Sequence, residues 1–253
     1  MNSISVIIPC YNEEANLKRG VLNEVESYLS KQSYKWEVII CNDKSSDNSL
    51  ELVNQFVIKN KNFKVLDLSK GGKAGAIWGG IQHAQYDIAL FTDMDQSTPL
   101  SELTKLLPYF DQNYDVVIGS RGRHREGNTF TRKLGSVIFR ELRNLLLRTH
   151  IYDTQCGFKA MKTDLAKKIF PQLAVIKNIQ NQTVWRVTAY DVEMLLIAQK
   201  LGHKIKEVNV DWKNEDISTT KGDATARYLK ESREMASEVW RIFVNNLKGN
   251  YDK

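Results

Sequence analysis

"DIALFTDMDQST", residues Asp87–Thr98, decides how this chain is read. Ile88 to Phe91 make a short uncharged run, the pattern of a strand buried on both faces. Two carboxylates follow at once, Asp93 and Asp95. Hard carboxylate oxygens suit Mg2+ or Mn2+, ions that keep waters and also bind substrate phosphates. A D-x-D by itself is a weak signal, more often a polar turn, so the surrounding chain has to supply its meaning.

Working outward, strand patterns occur at 4–9, 36–41, 63–68, 87–92 and 114–120. Helical patterns fill the gaps at 14–30, 47–59, 73–84 and 100–110. This alternation predicts an α/β, Rossmann-like fold: a mostly parallel central sheet with helices on both faces. In such sheets ligands bind at the carboxyl ends of the strands. The segments found there read "PCYNEE", "NDKSSDNS", "SKGGKAGA", "DMDQST" and "SRGRHRE". Any single loop is polar for trivial reasons. Five that bring carboxylates, amides and lysines to one edge predict a nucleotide site. "KGGKAGA" (70–76) would set backbone N–H groups and Lys70 or Lys73 beside a diphosphate at a helix start. Its glycine spacing fits neither the dinucleotide fingerprint nor the P-loop.

The second half changes character. "FTRKLGSVIFRELRNLLLRT" (130–149) carries Leu134, Val137, Ile138, Leu142, Leu145 and Leu146 at helical spacing. Arg132, Lys133, Arg140, Arg143 and Arg148 cover much of the rest. This is a basic amphipathic helix. A polar turn "DTQCGFKAM" (153–161) follows, then a helix near 188–201, a strand near 204–211 and a helix near 224–247 bearing Trp240 and Phe243. Either amphipathic helix, 132–148 or 224–247, suits contact with a membrane surface. Arg121, Arg123, His124 and Arg125 suit a phosphate. Trp185 and Trp212 are expected to pack, and Glu193 to fix its helix or a basic neighbour. Residues 1–221 are expected to form one catalytic domain, with 222–253 an amphipathic helical extension.

Composition narrows the partners. The 253 residues are 42% apolar and 26% charged, with net charge +6, ordinary for a soluble protein that favours anionic ligands. Nucleic acid is disfavoured, because the basic residues surround an edge lined with carboxylates. Cys10, Cys41 and Cys156 are an odd count without CxxC spacing, which argues for reduced thiols and against a disulfide framework or a zinc site. The start has no signal-peptide pattern, and no window approaches the ~18 apolar residues of a membrane span. A cytoplasmic protein, peripheral at the cytosolic face of a membrane, is the expectation.

Taken in order, "VIIPCYNEE", "IICNDKSSDNS", "KGGKAGA", "FTDMDQST", "IGSRGR", "DTQCGFKAM" and "YDVEMLLIAQKLGHKIKEVNVDW" resemble glycosyltransferase family 2. The nearest branch is that of the dolichyl-phosphate β-glucosyltransferases and polyprenyl-phosphate glycosyltransferases, matched from about residue 3 to about 221. The resemblance implies a GT-A fold and inverting transfer of a hexose from a nucleotide-diphosphate sugar, UDP-glucose in the first instance. By position, Pro9, Tyr11, Asn12 and Glu13 would line the nucleotide pocket. Asn42 and Asp43 would meet the base or ribose, and Lys73 would lie near the nucleotide. Asp93 and Asp95 would hold Mg2+ or Mn2+ and the diphosphate, while Gln155 would shape the sugar pocket. Arg121 and Arg132 match basic positions near an acceptor phosphate. Asp191 matches the acceptor face, where the family often places a base. A polyprenyl phosphate acceptor (dolichyl or undecaprenyl) brings its own anionic oxygen, whereas a sugar hydroxyl needs a carboxylate to remove its proton. The alternatives are a family member acting on a glycan or other hydroxyl, and a nucleotide-sugar-binding protein without turnover. Two departures touch the donor: Asn42-Asp43 stands where Asp-Asp is usual, and Trp78 where arginine is frequent. Eukaryotic members of the branch also carry an N-terminal membrane anchor, which this chain is expected to lack.

Overall fold

β-Branched runs bounded by Gly, Asn and Asp set the strands, and one sheet collects them all. The computed structural model describes residues 3–69, 71–122, 130–178, 189–213, 215 and 224–252, without the side chains of 130–136, 138 and 224–231. The strands are β1 (Ile4–Cys10), β2 (Trp36–Asn42), β3 (Phe63–Asp67), β4 (Ile88–Phe91), β5 (Val116–Ser120), β6 (Lys159–Lys162) and β7 (Ile205–Asn209). Their order across the sheet is β3-β2-β1-β4-β6-β5-β7. Every pairing is parallel except those of β6, which runs antiparallel to both β4 and β5.

The helices of the first half are α1 (Glu14–Lys18), α2 (Val21–Leu29), α3 (Ser49–Val57), α4 (Gly72–His83), α5 (Leu103–Leu106) and α6 (Pro108–Asp111). Those of the second half are α7 (Phe130–Leu147), α8 (Thr163–Ile169), α9 (Ala174–Lys177), α10 (Tyr190–Lys200) and α11 (Ala224–Leu247). The single helix expected over 14–30 is two, because Gly20 turns to φ 91° and breaks the hydrogen-bond ladder. Residues 100–110 likewise divide into short turns, with Pro108 opening α6. The "polar turn" at 153–161 ends in a strand, β6, and the helices at 163–177 were not expected at all.

Alternation along the strands builds two cores. Ile7 and Ile39 face a cluster with Ile77 and Ile81 of α4, Ile169 of α8 and Leu195 of α10. Val6, Ile8, Val38 and Ile40 face the other, with Val25 of α2 and Val53 of α3. Neighbouring residues thus serve opposite layers, each fully buried aliphatic contributing about 1.5–3 kcal/mol. Pro9 fits in β1 because pairing with β4 ends at Ile7 and Phe91, so no ladder bond is lost at the missing N–H.

The carboxyl terminus closes onto the first of these cores. Val239, Ile242 and Tyr251 are buried in it. Glu193 of α10, only 1% exposed, accepts hydrogen bonds from Arg241 at 3.2 Å to each oxygen and from the Tyr251 hydroxyl at 2.6 Å. The basic neighbour expected of Glu193 is therefore Arg241, from α11. Replacing Arg241 with Ala leaves a buried carboxylate without its cation. Because Arg241 is itself 30% exposed, the expected loss is about 2 kcal/mol, below the range for a wholly buried pair. A drop in the urea midpoint at unchanged slope measures it.

Candidate active site

The carboxyl edge of the sheet gathers charge around Asp93. β4 ends at Phe91, and the chain turns immediately, Gln96 N–H donating to Asp93 O at 3.2 Å with Gln96 at φ 50°. Thr92, Met94 and Gln96 are buried, whereas Asp93 and Asp95 are half-buried. The Lys73 ammonium, from the first turn of α4, lies 2.5 Å from Asp93 Oδ1. Partial desolvation opposes the charge of this lysine, whose side chain is 41% exposed, but the carboxylates of Asp93, Asp191 and Asp95 outweigh it and raise its pKa. Burial also opposes the Asp93 charge, and Lys73, Lys159 and Arg121 outweigh it and hold the carboxyl below its usual range. The other Asp93 oxygen rests on the backbone of Gly157. A Cβ at that position would lie 2.1 Å from Oδ2, so any larger residue there has to push the Asp93 carboxylate aside.

β6 brings a second pair to the same place. Lys159, its first residue, is 2% exposed and reaches Asp191 Oδ1 at 2.7 Å, while also donating to the Cys156 carbonyl. Asp191 sits in the first turn of α10, where the helix dipole favours an anion. On the far side, Arg121 grips Asp153 through Nε and Nη2, each at 2.8 Å, and its backbone N–H donates to the same carboxylate. Asp153, 4% exposed, is fixed in turn because its own N–H and that of Tyr152 donate to Glu207 of β7. Arg143 was expected on the basic outer face of α7. It is instead 4% exposed and braces this turn, donating at 2.7 Å to Thr154 and at 2.5 Å to the Ile151 carbonyl.

The loops after β1 and β2 lie together beside this cluster. Asn12, at φ 55°, accepts from the Ser46 N–H at 2.8 Å, and the Glu13 N–H donates to Ser49 at 2.7 Å. Tyr11 is 40% exposed above them, and Pro9 sits in the strand beneath. Asp43 accepts from the Gly71 N–H at 2.6 Å, joining the β2 loop to the glycine-rich loop before α4. Asn42 is 1% exposed and committed at both ends, to Asp67 at 2.7 Å and to the Ser45 N–H at 3.4 Å. The Asn-for-Asp difference therefore falls on loop bracing rather than on a ligand edge. Trp78 is partly buried against the first core, its ring nearly parallel to that of Phe170 with centroids 6.2 Å apart. Burial first, with Glu13 and Asp47 adding, pushes the Cys10 thiol up to about 12, which leaves it inert.

Of the residues singled out from sequence, Asp93, Arg121 and Gln155 line one cleft; Lys73 is paired with Asp93, Asp191 with Lys159, and Asp95 accepts from the N–H of the cleft residue Ser97 at 2.8 Å. Thr92, Asp93, Ser97, Thr98, Arg121, Gln155, Gly157, Phe158 and Trp212 line that cleft. Trp212, expected to pack, is a wall of it. Gly157 and Lys159 were also missed as site residues. The only signal for them was their place in "DTQCGFKAM", since a glycine next to a strand and a lone lysine carry no pattern of their own. The side chain of Arg132, together with Lys70, Arg123, His124, Arg125 and Trp185, lies outside the described residues.

Among the described residues no three His, Cys, Asp or Glu side chains converge as they would around a metal held by protein alone. The Asp93 and Asp95 pair fits the other mode, in which one or two carboxylates share the ion with phosphate oxygens and waters. The ammonium already resting on Asp93 Oδ1 marks a position that takes positive charge.

Comparison with known proteins agrees with this arrangement. The sequence pattern described as glycosyl transferase family 2 matches residues 5–170. The chain is 30% identical over 221 residues to a dolichyl-phosphate beta-glucosyltransferase of Trichomonas vaginalis, covering 81% of this chain and 62% of that one. A dolichyl-phosphate beta-glucosyltransferase of Dictyostelium discoideum is 31% identical over 263 residues, covering 97% and 75%. The chain thus spans less than two thirds of the first relative's length. Among solved structures, glucosyl-3-phosphoglycerate synthase from Mycobacterium tuberculosis, in complex with Mn2+, UDP-glucose and phosphoglyceric acid, superposes with a TM-score of 0.62. That match has 17% identity and covers 96% of this chain and 80% of that one, a likeness of fold. Strand order, the acidic edge loop and the matched pattern lead to one assignment: the chain belongs to glycosyl transferase family 2.

Proposed function

We propose that this chain is an inverting glycosyltransferase that moves a hexose, glucose from UDP-glucose, to a polyprenyl phosphate at the cytosolic face of a membrane. The observation that carries the reading is the Lys159–Asp191 pair at 2.7 Å. The charge of Asp191 is matched by a buried ammonium, and a proton accepted there would leave Lys159 without its counter-ion. A site so arranged suits an acceptor whose oxygen is already anionic better than a hydroxyl awaiting a base. The two curated relatives are named as dolichyl-phosphate glucosyltransferases, which supports the same acceptor class.

In this reading an acceptor phosphate oxygen attacks the anomeric carbon from the face opposite the nucleotide. The carbon–oxygen bond to the diphosphate breaks and its electron pair leaves with the diphosphate, so the configuration inverts. Lys73, fixed by Asp93, supplies positive charge where the leaving group gains negative charge. Arg121 is a donor of fixed direction rather than a free cation, because Asp153 neutralises it. Asp93 and Asp95 would hold Mg2+ or Mn2+, which polarises the diphosphate when bound. The solved neighbour containing Mn2+ and UDP-glucose favours that pairing of donor and cation.

A membrane setting is supported by exposed apolar side chains on two helices. Leu142 and Leu145 of α7 are 52% and 77% exposed, and Trp240 and Leu247 of α11 are 58% and 70%. Among the described residues no helix is long and apolar enough to cross a membrane, so contact would be with the surface.

One matrix of nucleotide sugars against polyprenyl phosphates and hydroxyl acceptors, with Mg2+ or Mn2+, tests the activity. Glycolipid formed with release of UDP is the expected result. Transfer to hydroxyl acceptors alone would replace the reading, and nucleotide-sugar uptake without release would mark a binder. Asp95→Ala is expected to bring UDP-glucose affinity in Mn2+ down to its value in a chelator; affinity that still responds to Mn2+ counts against the metal assignment. Gly157→Ala forces Asp93 aside and is expected to lower kcat at least tenfold, about 1.4 kcal/mol of barrier, while the thermal midpoint stays near that of the parent.

A further inference from the structure

We infer that Trp212 is the hexose platform of the donor site, a specificity-determining residue rather than a packing one; this rests on the reading above. Three observations carry it. First, Trp212 is half-buried yet belongs to neither apolar core among the described residues, unlike Trp36 and Trp78, which pack against them. A tryptophan held out of both cores forgoes the burial that ordinarily explains it.

Second, the segment that presents it is laced down on both sides. Asp211 N–H donates to Glu102 Oε2 at 2.8 Å, and Lys213 N–H donates to the Ser97 carbonyl at 2.8 Å. Beyond them Glu215 N–H donates to Ser97 Oγ at 3.2 Å. Arg19 bridges this segment to the acidic turn, lying 3.6 Å from Glu215 and donating to the Asp95 carbonyl at 2.7 Å. The strap therefore fixes the indole relative to Asp93 and Asp95.

Third, the cleft that the indole closes has the chemistry of a sugar site. Asp93, Ser97, Thr98 and Gln155 line it with carboxylate, hydroxyl and amide groups, and Trp212 lines it with an indole. A pyranose has an equatorial rim of hydroxyls and an apolar C–H face, which this combination matches. Arg121, its guanidinium carbon 5.9 Å from the indole centroid, holds the ring from one side.

The test compares UDP-glucose with UDP by calorimetry in Mn2+, for the full chain and for Trp212→Ala and Trp212→Phe. Trp212→Ala is expected to weaken UDP-glucose at least tenfold while UDP affinity changes less than twofold, and Trp212→Phe to recover most of the loss. The polyprenyl-phosphate KM stays at the parent value. Parallel loss of both nucleotides, a rise confined to the acceptor KM, or no change in any of them overturns the assignment. A parent protein that binds UDP-glucose but makes no glycolipid removes the proposed activity and leaves the platform testable by the same binding measurement. A parent that binds no UDP-glucose removes both.

Discussion

A half-buried aspartate at the end of a buried strand draws cations to itself, and much of this edge is organised around that carboxylate. Asp93 is held ionised by Lys73, Lys159 and Arg121, drawn from α4, β6 and the end of β5. Each of those cations then needs its own partner. Lys159 takes Asp191, Arg121 takes Asp153, and Asp153 is fixed from β7 through Glu207. The result is an alternating chain of paired charges that joins α4, α10 and the ends of β5, β6 and β7. Electrostatic stabilisation of a leaving group works best from such pre-set charges, because nothing has to reorganise as the bond breaks.

The odd strand of the sheet is what makes this charge pairing possible. Parallel strands deliver the loops that follow them to this edge. β6 runs the other way, so it delivers the residues that precede it, and Cys156, Gly157 and Phe158 arrive opposite Asp93. Both cations nearest the acidic turn stand where an element begins: Lys159 is the first residue of β6, and Lys73 lies in the first turn of α4.

How much of this was readable in advance follows from the same geometry. β1, β2 and β5 declared themselves by runs of Val and Ile, and the acidic, glycine-rich and Asn-rich loops could be placed on one edge because parallel strands leave no other choice. The β6 sequence Lys-Ala-Met-Lys did not, since four residues with a buried lysine show neither alternation nor a continuous apolar run. α8 and α9, seven and four residues long, fall below the length at which helical periodicity is visible. Arg143 read as part of a solvated face because a helix pattern reports charge and not the turn that the charge braces. Trp212 read as packing because an isolated aromatic gives no sign of which side of it is covered.

The strap before residue 216 is tied down mainly by its own main chain. The N–H groups of 211, 213 and 215 make the bonds, and the receiving oxygens belong to Glu102 and Ser97. Most side-chain exchanges at those three positions would therefore leave the segment seated. Position 212 is then a socket: the side chain that lines the cleft there can change while the main chain that carries it stays in place. On the proposed reading, a scaffold built this way can diversify the sugar it accepts while the paired charges around Asp93 stay constant.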